Sequence, residues 1–168
     1  MSQNITIARA LREVKKLKGR VSELTLRLQS TTSWKKEKAP DFTFAAVQEQ
    51  RTVAVNELMK LKTAICVANA TNALTFEGRS MTLAEAILQM GELKSDLSLV
   101  SSLNLKRGEE SEHGYDDLTG RSVIQKITYE SVMSEPERVE KVEALRKRIE
   151  TLNDALEEAN HATRVALA

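Results

Sequence analysis

The sequence predicts an all-α protein, an elongated antiparallel four-helix bundle or coiled coil with a long loop and a short β segment before the last helix. Two terminal segments carry apolar residues at alternating spacings of three and four, which puts one narrow stripe on each helix. Aromatic residues make up only 4% of the chain, so the core must consist of aliphatic residues that favour helix-on-helix packing. Six Gly and two Pro are too few for a turn-rich β fold. We therefore expect a single helical domain over residues 1–168.

The first two predicted helices cover residues 5–28 and 42–74. The stripe of the first helix consists of Ile7, Ala10, Val14, Leu17, Val21, Leu24 and Leu28. The second helix is expected to begin after Asp41, because the Asp41 carboxylate can cap the free N–H groups of the first turn. Its stripe, which Arg51 interrupts, consists of Val47, Ala54, Leu58, Leu61, Ile65 and Ala68.

The last two predicted helices cover residues 83–104 and 135–164. Thr82 and Glu85 form the capping-box pattern, in which a hydroxyl and a carboxylate three residues apart bond to each other's backbone N–H groups. Ser134 and Glu137 repeat that pattern before the last helix. The stripe of the last helix consists of Val142, Leu145, Ile149, Leu152, Leu156 and Ala159.

The segment 105–133, between the third and fourth helices, is expected to be a long polar loop. Residues 122–129 within it are rich in β-branched side chains, so they are a candidate strand that could pair with a loop strand across a subunit boundary. The loop also concentrates ionisable groups, namely Glu109, Glu110, Glu112, His113, Asp116 and Asp117. Their spacing matches no metal-binding loop, so we interpret them as a solvated acidic surface and expect no metal site.

The net charge of +1 hides a segregation of charge along the chain. Residues 1–40 hold ten Lys or Arg and three Asp or Glu, whereas residues 130–168 hold six and nine. A basic arm is typical of nucleic-acid binding, and its cations are Arg9, Arg12, Lys15, Lys16, Lys18, Arg20 and Arg27. No aromatic residues are interleaved with these cations as base-stacking platforms, so we favour a basic helix that packs beside an acidic one.

Composition and motifs exclude several functional classes. No apolar run approaches the roughly 18 residues that span a bilayer, and the first residues lack the pattern of a signal peptide. The single Cys66 excludes an intrachain disulfide and fits a reducing compartment, so we expect a cytoplasmic protein. The sequence contains no nucleophile elbow, phosphate-binding Gly loop or Cys/His ligand pair, so we expect neither an enzyme nor a cofactor.

One constellation of polar residues follows from the expected topology. Short connections make consecutive helices antiparallel, so the second and fourth helices end at the same end of the bundle, where the third begins. The polar residues that meet there are Asn69, Asn72, Glu85, Asn160 and His161. Such side chains can bind a small polar ligand or a metal ion, or they can satisfy helix ends and bound water.

Four sequence blocks carry a resemblance to a known family. The blocks are Ala68-Asn69-Ala70-Thr71-Asn72-Ala73, Gly78-Arg79-Ser80-Met81-Thr82, Arg121-Ser122-x-Ile124-x-Lys126 and Leu156-Glu157-Glu158-Ala159-Asn160-His161-Ala162-Thr163. In this order they resemble a family of uncharacterised bacterial helical proteins, some of which carry the automatic label septicolysin. The resemblance covers nearly the whole chain. It implies an all-helical, oligomeric fold and no established activity.

These observations lead to one functional hypothesis and two alternatives. We expect a homo-oligomeric scaffold or interaction protein without catalysis, because the apolar residues exceed what one slim bundle can bury. The first alternative is a small-ligand or metal-binding protein, conceivably an enzyme, that uses the polar end of the bundle. The second is a nucleic-acid-binding protein that uses the basic first helix, and we do not expect it. A membrane partner is not expected either.

Overall fold

A computed structural model describes residues 4–115, 118 and 120–166, which contain four helices and six strands. The elements follow one another as β1 (Asn4–Thr6), α1 (Ile7–Ser30), α2 (Phe44–Thr71), β2 (Ala73–Phe76), β3 (Arg79–Thr82), α3 (Leu83–Ser102), β4 (Gly108–Tyr115), β5 (Ser122–Tyr129), α4 (Glu135–Ala162) and β6 (Arg164–Ala166). The strands pair as β1–β6, β2–β3 and β4–β5, each pair an antiparallel sheet of two strands.

The expected all-α class is therefore wrong, and the fold mixes helices with small sheets. The four helices lie where the periodicity places them, and each boundary falls within three residues of the expectation. Four of the strands are only three or four residues long, which is too short for any periodic signal. The structure does not support a four-helix bundle either, since α1 and α2 are the only two described helices that pack extensively against each other.

The chain divides into two compact units. The first unit contains the residues up to Gln89 together with those from Thr151 onward, and the second contains Met90–Glu150. The buried apolar residues of the first unit come from α1, α2, the start of α3, the end of α4 and the strands β1, β2, β3 and β6. Those of the second unit are Met90, Leu93 and Val142.

Strands β1 and β6 form a terminal sheet that joins the two ends of the chain. Ile5 pairs with Val165 in the centre of this ladder, and both side chains are buried. One residue beyond the last pair of the ladder, Thr6 with Arg164, the Ile7 N–H donates to the Thr163 carbonyl at 3.0 Å. The first turn of α1 is thereby fastened to the residue that follows α4.

Strands β2 and β3 form a tight hairpin between α2 and α3. Glu77 and Gly78 at its turn have φ of 50° and 76°, and two positive values in a two-residue loop are typical of a type I′ turn. Leu74, Phe76 and Met81 of this hairpin are buried. The hairpin therefore adds apolar contacts to the first unit while it reverses the chain.

The helix pair α1–α2 has its own apolar cluster near the far end of the pair. Leu24, Val47 and Ala54 are buried in it. Arg51, which interrupts the stripe of α2, donates from Nε to the Thr25 hydroxyl at 2.9 Å, so its polar group has a partner across the helix pair. Helices α1 and α2 therefore form an antiparallel pair that one side-chain hydrogen bond connects.

The helix starts follow capping chemistry, with one correction. Both capping boxes are confirmed, because Thr82 and Glu85 exchange hydrogen bonds, as do Ser134 and Glu137. The expected cap at Asp41 is wrong: the N-cap of α2 is Thr43, whose hydroxyl accepts from the Ala46 N–H at 3.3 Å. Either side chain can cap a helix, so local chemistry does not choose between positions two residues apart.

Strands β4 and β5 form an eight-residue hairpin in the second unit. The expected strand at residues 122–129 is confirmed, but it pairs with the loop strand within the chain and not across a subunit boundary. The partner strand β4 lies within the segment that we expected to be a loop. Lys106 bonds to Glu110 at 2.8 Å and lies 4.5 Å from the centre of the Tyr129 ring. Tyr129 in turn donates its hydroxyl to Glu112. These pairings neutralise part of the negative charge of β4.

The burial of the terminal sheet leads to a prediction about stability. Val165 is 0% exposed, so Val165→Ala is expected to lower the free energy of unfolding by about 2 kcal/mol, through lost burial and the cavity that remains. The control Val132→Ala changes a side chain that is 94% exposed and is expected to cost less than about 0.5 kcal/mol. Urea denaturation followed by circular dichroism measures both values. Equal effects would show that the terminal sheet does not anchor the fold.

Candidate functional site

The first unit brings the ends of its helices together. The start of α1 is bonded to the end of α4 through Ile7 and Thr163, and the Leu83 N–H at the start of α3 donates to the carbonyl of Asn72, which ends α2, at 2.9 Å. Helix α2 packs against both β6 and β3. We call this region, built around β1–β6 and β2–β3, the helix-end junction. The five polar residues that the sequence predicts to converge all lie in this unit, at helix ends.

Two of the five predicted residues already have partners in the backbone. The Asn72 side-chain amide donates to the Ala68 carbonyl at 2.8 Å, and the same carbonyl also accepts from the Asn72 backbone N–H at 3.0 Å at the end of α2. The Glu85 carboxylate accepts from the Thr82 N–H at 2.7 Å and from the Thr82 hydroxyl at 3.0 Å. The pKa of Glu85 is lowered from its ordinary value, because the bond from the Thr82 N–H and then that from its hydroxyl favour the charged form. Both side chains thus stabilise helix ends.

The other three predicted residues are at least partly exposed to solvent. Asn69 and Asn160 are half-buried, and His161 is exposed. These three residues are all described, and none of them hydrogen-bonds to another of the five. The junction therefore gathers their backbone elements without building a closed polar cage, and their role as ligand-binding residues stays a prediction.

An open groove lies beside the junction, between α1 and α2. Its volume is about 1110 Å³. It is lined by Ile5 and Ala166 of the terminal sheet, Arg9, Glu13 and Leu17 of α1, and Glu57, Met59, Lys60, Leu61, Thr63 and Ala64 of α2. We call this feature the α1–α2 groove. Sequence reasoning missed it, because only Leu17 and Leu61 of its lining belong to the predicted stripes.

The α1–α2 groove combines an apolar floor with charges of both signs. Arg9 and Lys60 contribute cations, while Glu13 and Glu57 contribute carboxylates. Glu13 is bonded to Lys16 at 3.0 Å on the surface of α1. A surface with this composition suits another amphipathic protein surface, whose apolar residues cover the floor and whose charges match the rim.

Further apolar side chains are exposed on α2 and α3. On α2 they include Val53, Met59 and Val67, and on α3 they include Ile87, Leu88 and Leu99. Helix α2 is thus apolar on more than the stripe that packs against α1. Exposed apolar residues are ordinary when scattered, but a helix that is apolar on several faces normally has those faces covered.

The shifted titratable groups of the described residues are helix caps and surface pairs. The pKa of Glu137 is lowered by the bond from the Ser134 N–H, in the same way as that of Glu85. The pKa of Lys106 is raised by its bond to Glu110, and that of Tyr129 is raised by its bond to Glu112. Each shift has a local structural cause, whereas catalytic groups are typically shifted by burial in a cleft.

The described part of the chain contains neither a metal-binding cluster nor a membrane-spanning helix. There, no three His, Cys, Asp or Glu side chains are grouped so that they could hold a metal ion. Asp116 and Asp117 of the acidic cluster lie outside the described residues. No described helix combines the length and the apolar composition that crossing a bilayer requires.

Comparison with known proteins identifies the family of this chain and a solved structure with a similar fold. Residues 14–165 match the model of a family of unknown function, DUF6847. The chain belongs to the DUF6847 family. The match spans both units, and its description assigns no activity to the family.

A solved structure has the same fold as this DUF6847 chain. It is the crystal structure of a functionally unknown conserved protein from Corynebacterium diphtheriae, with a TM-score of 0.72 and 21% sequence identity. The similarity covers 97% of this chain and 99% of that one. No curated protein matches the chain. These findings support an uncharacterised bacterial family, and neither description carries the label septicolysin.

The capping carboxylates predict how stability depends on pH. The pKa of Glu85 and that of Glu137 are lower in the folded state than the ordinary 4.5, so their contribution is complete above that value and is lost as the pH falls through the folded pKa. Gln retains capping-box bonding but does not titrate. Glu85→Gln/Glu137→Gln is therefore expected to lose less melting temperature than wild type between about pH 6 and pH 3. Exposed Glu158→Gln serves as the control, and parallel curves for all three proteins would contradict the prediction.

The bonding of Asn72 predicts a structural role that can be separated from ligand binding. Asn72→Ala is expected to lower the melting temperature slightly, because the Ala68 carbonyl keeps its bond from the backbone N–H of residue 72 but loses the second bond, from the Asn72 side chain. His161→Ala changes an exposed side chain and is expected to leave it unaltered. A thermal-shift screen of wild type against metals, nucleotides and common metabolites is expected to yield no stabilising compound. A compound that stabilises wild type but not His161→Ala would instead establish the ligand-binding alternative.

Proposed function

We propose that this chain is a self-associating interaction module that acts by binding rather than by catalysis. Its exposed surface is the observation that carries the proposal. The α1–α2 groove and the apolar side chains of α2 and α3 give that surface the composition of an interface. The family description leaves the activity open.

The amount of exposed surface supports association. The chain exposes 12598 Å². A compact monomer of 18.8 kDa exposes about 8,300 Å², and the same mass divided into two separate compact bodies exposes about 10,000 Å². The exposed area exceeds both figures, and part of it consists of apolar side chains of α2 and α3 that a partner could cover.

The composition of the α1–α2 groove supports a second copy as the partner. Its two cations and two carboxylates sum to zero, so two copies that meet there about a two-fold axis bring no excess of like charge together. Met59 at the groove is 57% exposed and offers a flexible apolar side chain for such a contact. Burying each apolar Å² contributes about 25 cal/mol, so a few such side chains offset much of the cost of association.

The two alternative functions stay predictions. The basic residues of α1 are largely exposed, and two of them are occupied within the helix, Lys16 by Glu13 and Arg27 by Glu23. The packing of a basic helix against an acidic one, which we favoured from the sequence, does not account for these two cations. Nucleic-acid binding would depend steeply on salt, and a small-ligand site would respond to the thermal-shift screen.

Self-association predicts a measurable mass. Light scattering coupled to size exclusion is expected to give at least twice 18.8 kDa at micromolar concentration. Met59→Glu is expected to lower that mass without changing the circular dichroism, because the side chain is exposed in the single chain and a charge at an interface is costly. Val132→Glu, the same kind of change at a site that is 94% exposed and outside the groove, is the control. A monomeric wild type would overturn the proposal.

A further inference from the structure

The β4–β5 hairpin of the second unit is an isolated sheet of two strands. Its eight residue pairs run from Gly108↔Tyr129 to Tyr115↔Ser122. None of its side chains that the structure describes is buried. No described helix packs along it as α1 packs along α2. A two-stranded hairpin is marginally stable in water, and three strands or a covering helix are normally needed.

The two free edges of this hairpin differ in chemistry. Strand β4 carries Glu109, Glu110 and Glu112, and charges on an edge strand are a common protection against pairing. Strand β5 carries one charge, Lys126, and it contains neither Pro nor Gly. Its remaining residues are mostly β-branched or aromatic, and Ile124 is 66% exposed. The edge of β5 is therefore the unprotected one.

We propose that the free edge of β5 pairs with β5 of a second copy, in antiparallel orientation, to form a four-stranded sheet in the order β4–β5–β5–β4. This inference rests on the proposed self-association and names a part of the surface that carries it. Backbone N–H and C=O groups on the two edges supply the hydrogen bonds, as in other cases of strand addition. The product has enough strands for a stable sheet.

The charges favour this arrangement over the other pairings of two hairpins. In the proposed sheet the two acidic strands are outermost, about 14 Å apart, which exceeds the Debye length of about 8 Å at physiological salt. Pairing β4 with β4 would instead bring six carboxylates onto strands about 4.8 Å apart, and Lys106 and Lys126 of each copy would offset only part of that charge. Lys126, the one charge on β5 itself, is already 3.8 Å from Glu109 of its own hairpin.

The symmetry of the contact also favours β5 with β5. A two-fold axis between two antiparallel β5 strands closes the sheet at four strands, because only its acidic edges stay free. Pairing β5 of one copy with β4 of the next would leave a free edge of each kind and propagate into a fibre. A closed sheet of four strands therefore satisfies the exposed edge without open-ended growth.

Two variants in one cross-strand pair test the proposal. Ile124 and His113 are opposite each other in the hairpin and lie on the same face, one on each strand. Ile124→Glu places a carboxylate on the strand that would pair and is expected to weaken self-association at least about tenfold. His113→Glu places it on the outer strand and is expected to leave association unchanged. Sedimentation of both full-length variants beside wild type measures the association constants.

Hydrogen exchange of wild type provides a readout that does not depend on any variant's folding. Residues 122–129 are expected to gain protection as the protein concentration rises, because the outward amides of β5 acquire partners. Residues 108–115 are expected to keep their exchange rate, because their outward amides stay free. Mass spectrometry of peptides from the two strands, at concentrations above and below the dissociation constant, compares them directly.

The outcomes separate this inference from the proposed function. If wild type self-associates and Met59→Glu dissociates it, but Ile124→Glu does not and β5 gains no protection, the β5 contact is wrong and the proposed function stands. A monomeric wild type overturns both. If both β4 and β5 gain protection from hydrogen exchange and the mass of the assembly grows without limit, the hairpins pair head to tail and the closed four-stranded sheet is wrong. Protection of β5 that depends on an added protein instead of concentration would overturn the second copy as its partner.

Discussion

The terminal sheet is the constraint on which the first unit depends. Three residue pairs join the two ends of the chain, with Ile5 and Val165 buried against each other at the centre. The bond from Ile7 to Thr163 continues this connection into α1 and α4. Because ordering such a long chain into one loop costs entropy, the burial of Val165 and its neighbours must outweigh that cost. Without this closure the start of α1 would lose its place beside α2, and the α1–α2 groove would lose Ile5 and Ala166 from its wall.

Several polar side chains that stand out in the sequence form hydrogen bonds at the ends of helices. Every helix leaves N–H and C=O groups unpaired at its ends, and short polar side chains nearby are the usual partners. Asn72 and Glu85 act in this way, and so do Thr43 and Ser134. A cluster of polar residues at converging helix ends is therefore expected on structural grounds. The shifted pKa of Glu85 follows from the same bonds and carries no separate implication of catalysis.

The two surfaces proposed for self-association depend on different kinds of interaction. The α1–α2 groove would associate through apolar side chains and matched charges, so its contribution depends on the area covered. The β5 edge would associate through backbone hydrogen bonds, so its specificity depends on strand register and on the charges that protect β4. They lie in different units, and each can be altered without touching the other. An assembly that used both surfaces would cover exposed apolar side chains of each unit.

The helices, their capping boxes and the strand at residues 122–129 could be predicted from the sequence, because periodicity, caps and β-branched composition are local signals. The tertiary structure alone decided that the fold is mixed: Asn4–Thr6 and Arg164–Ala166 become strands only because they meet each other, and three residues carry no period. It also decided that Thr43 rather than Asp41 caps α2. The α1–α2 groove was beyond the reach of the sequence for the same reason, since its lining joins two strands and the flanks of two helices. Pairing between distant segments is a property of the folded chain, and a linear pattern does not encode which of several competent partners will meet.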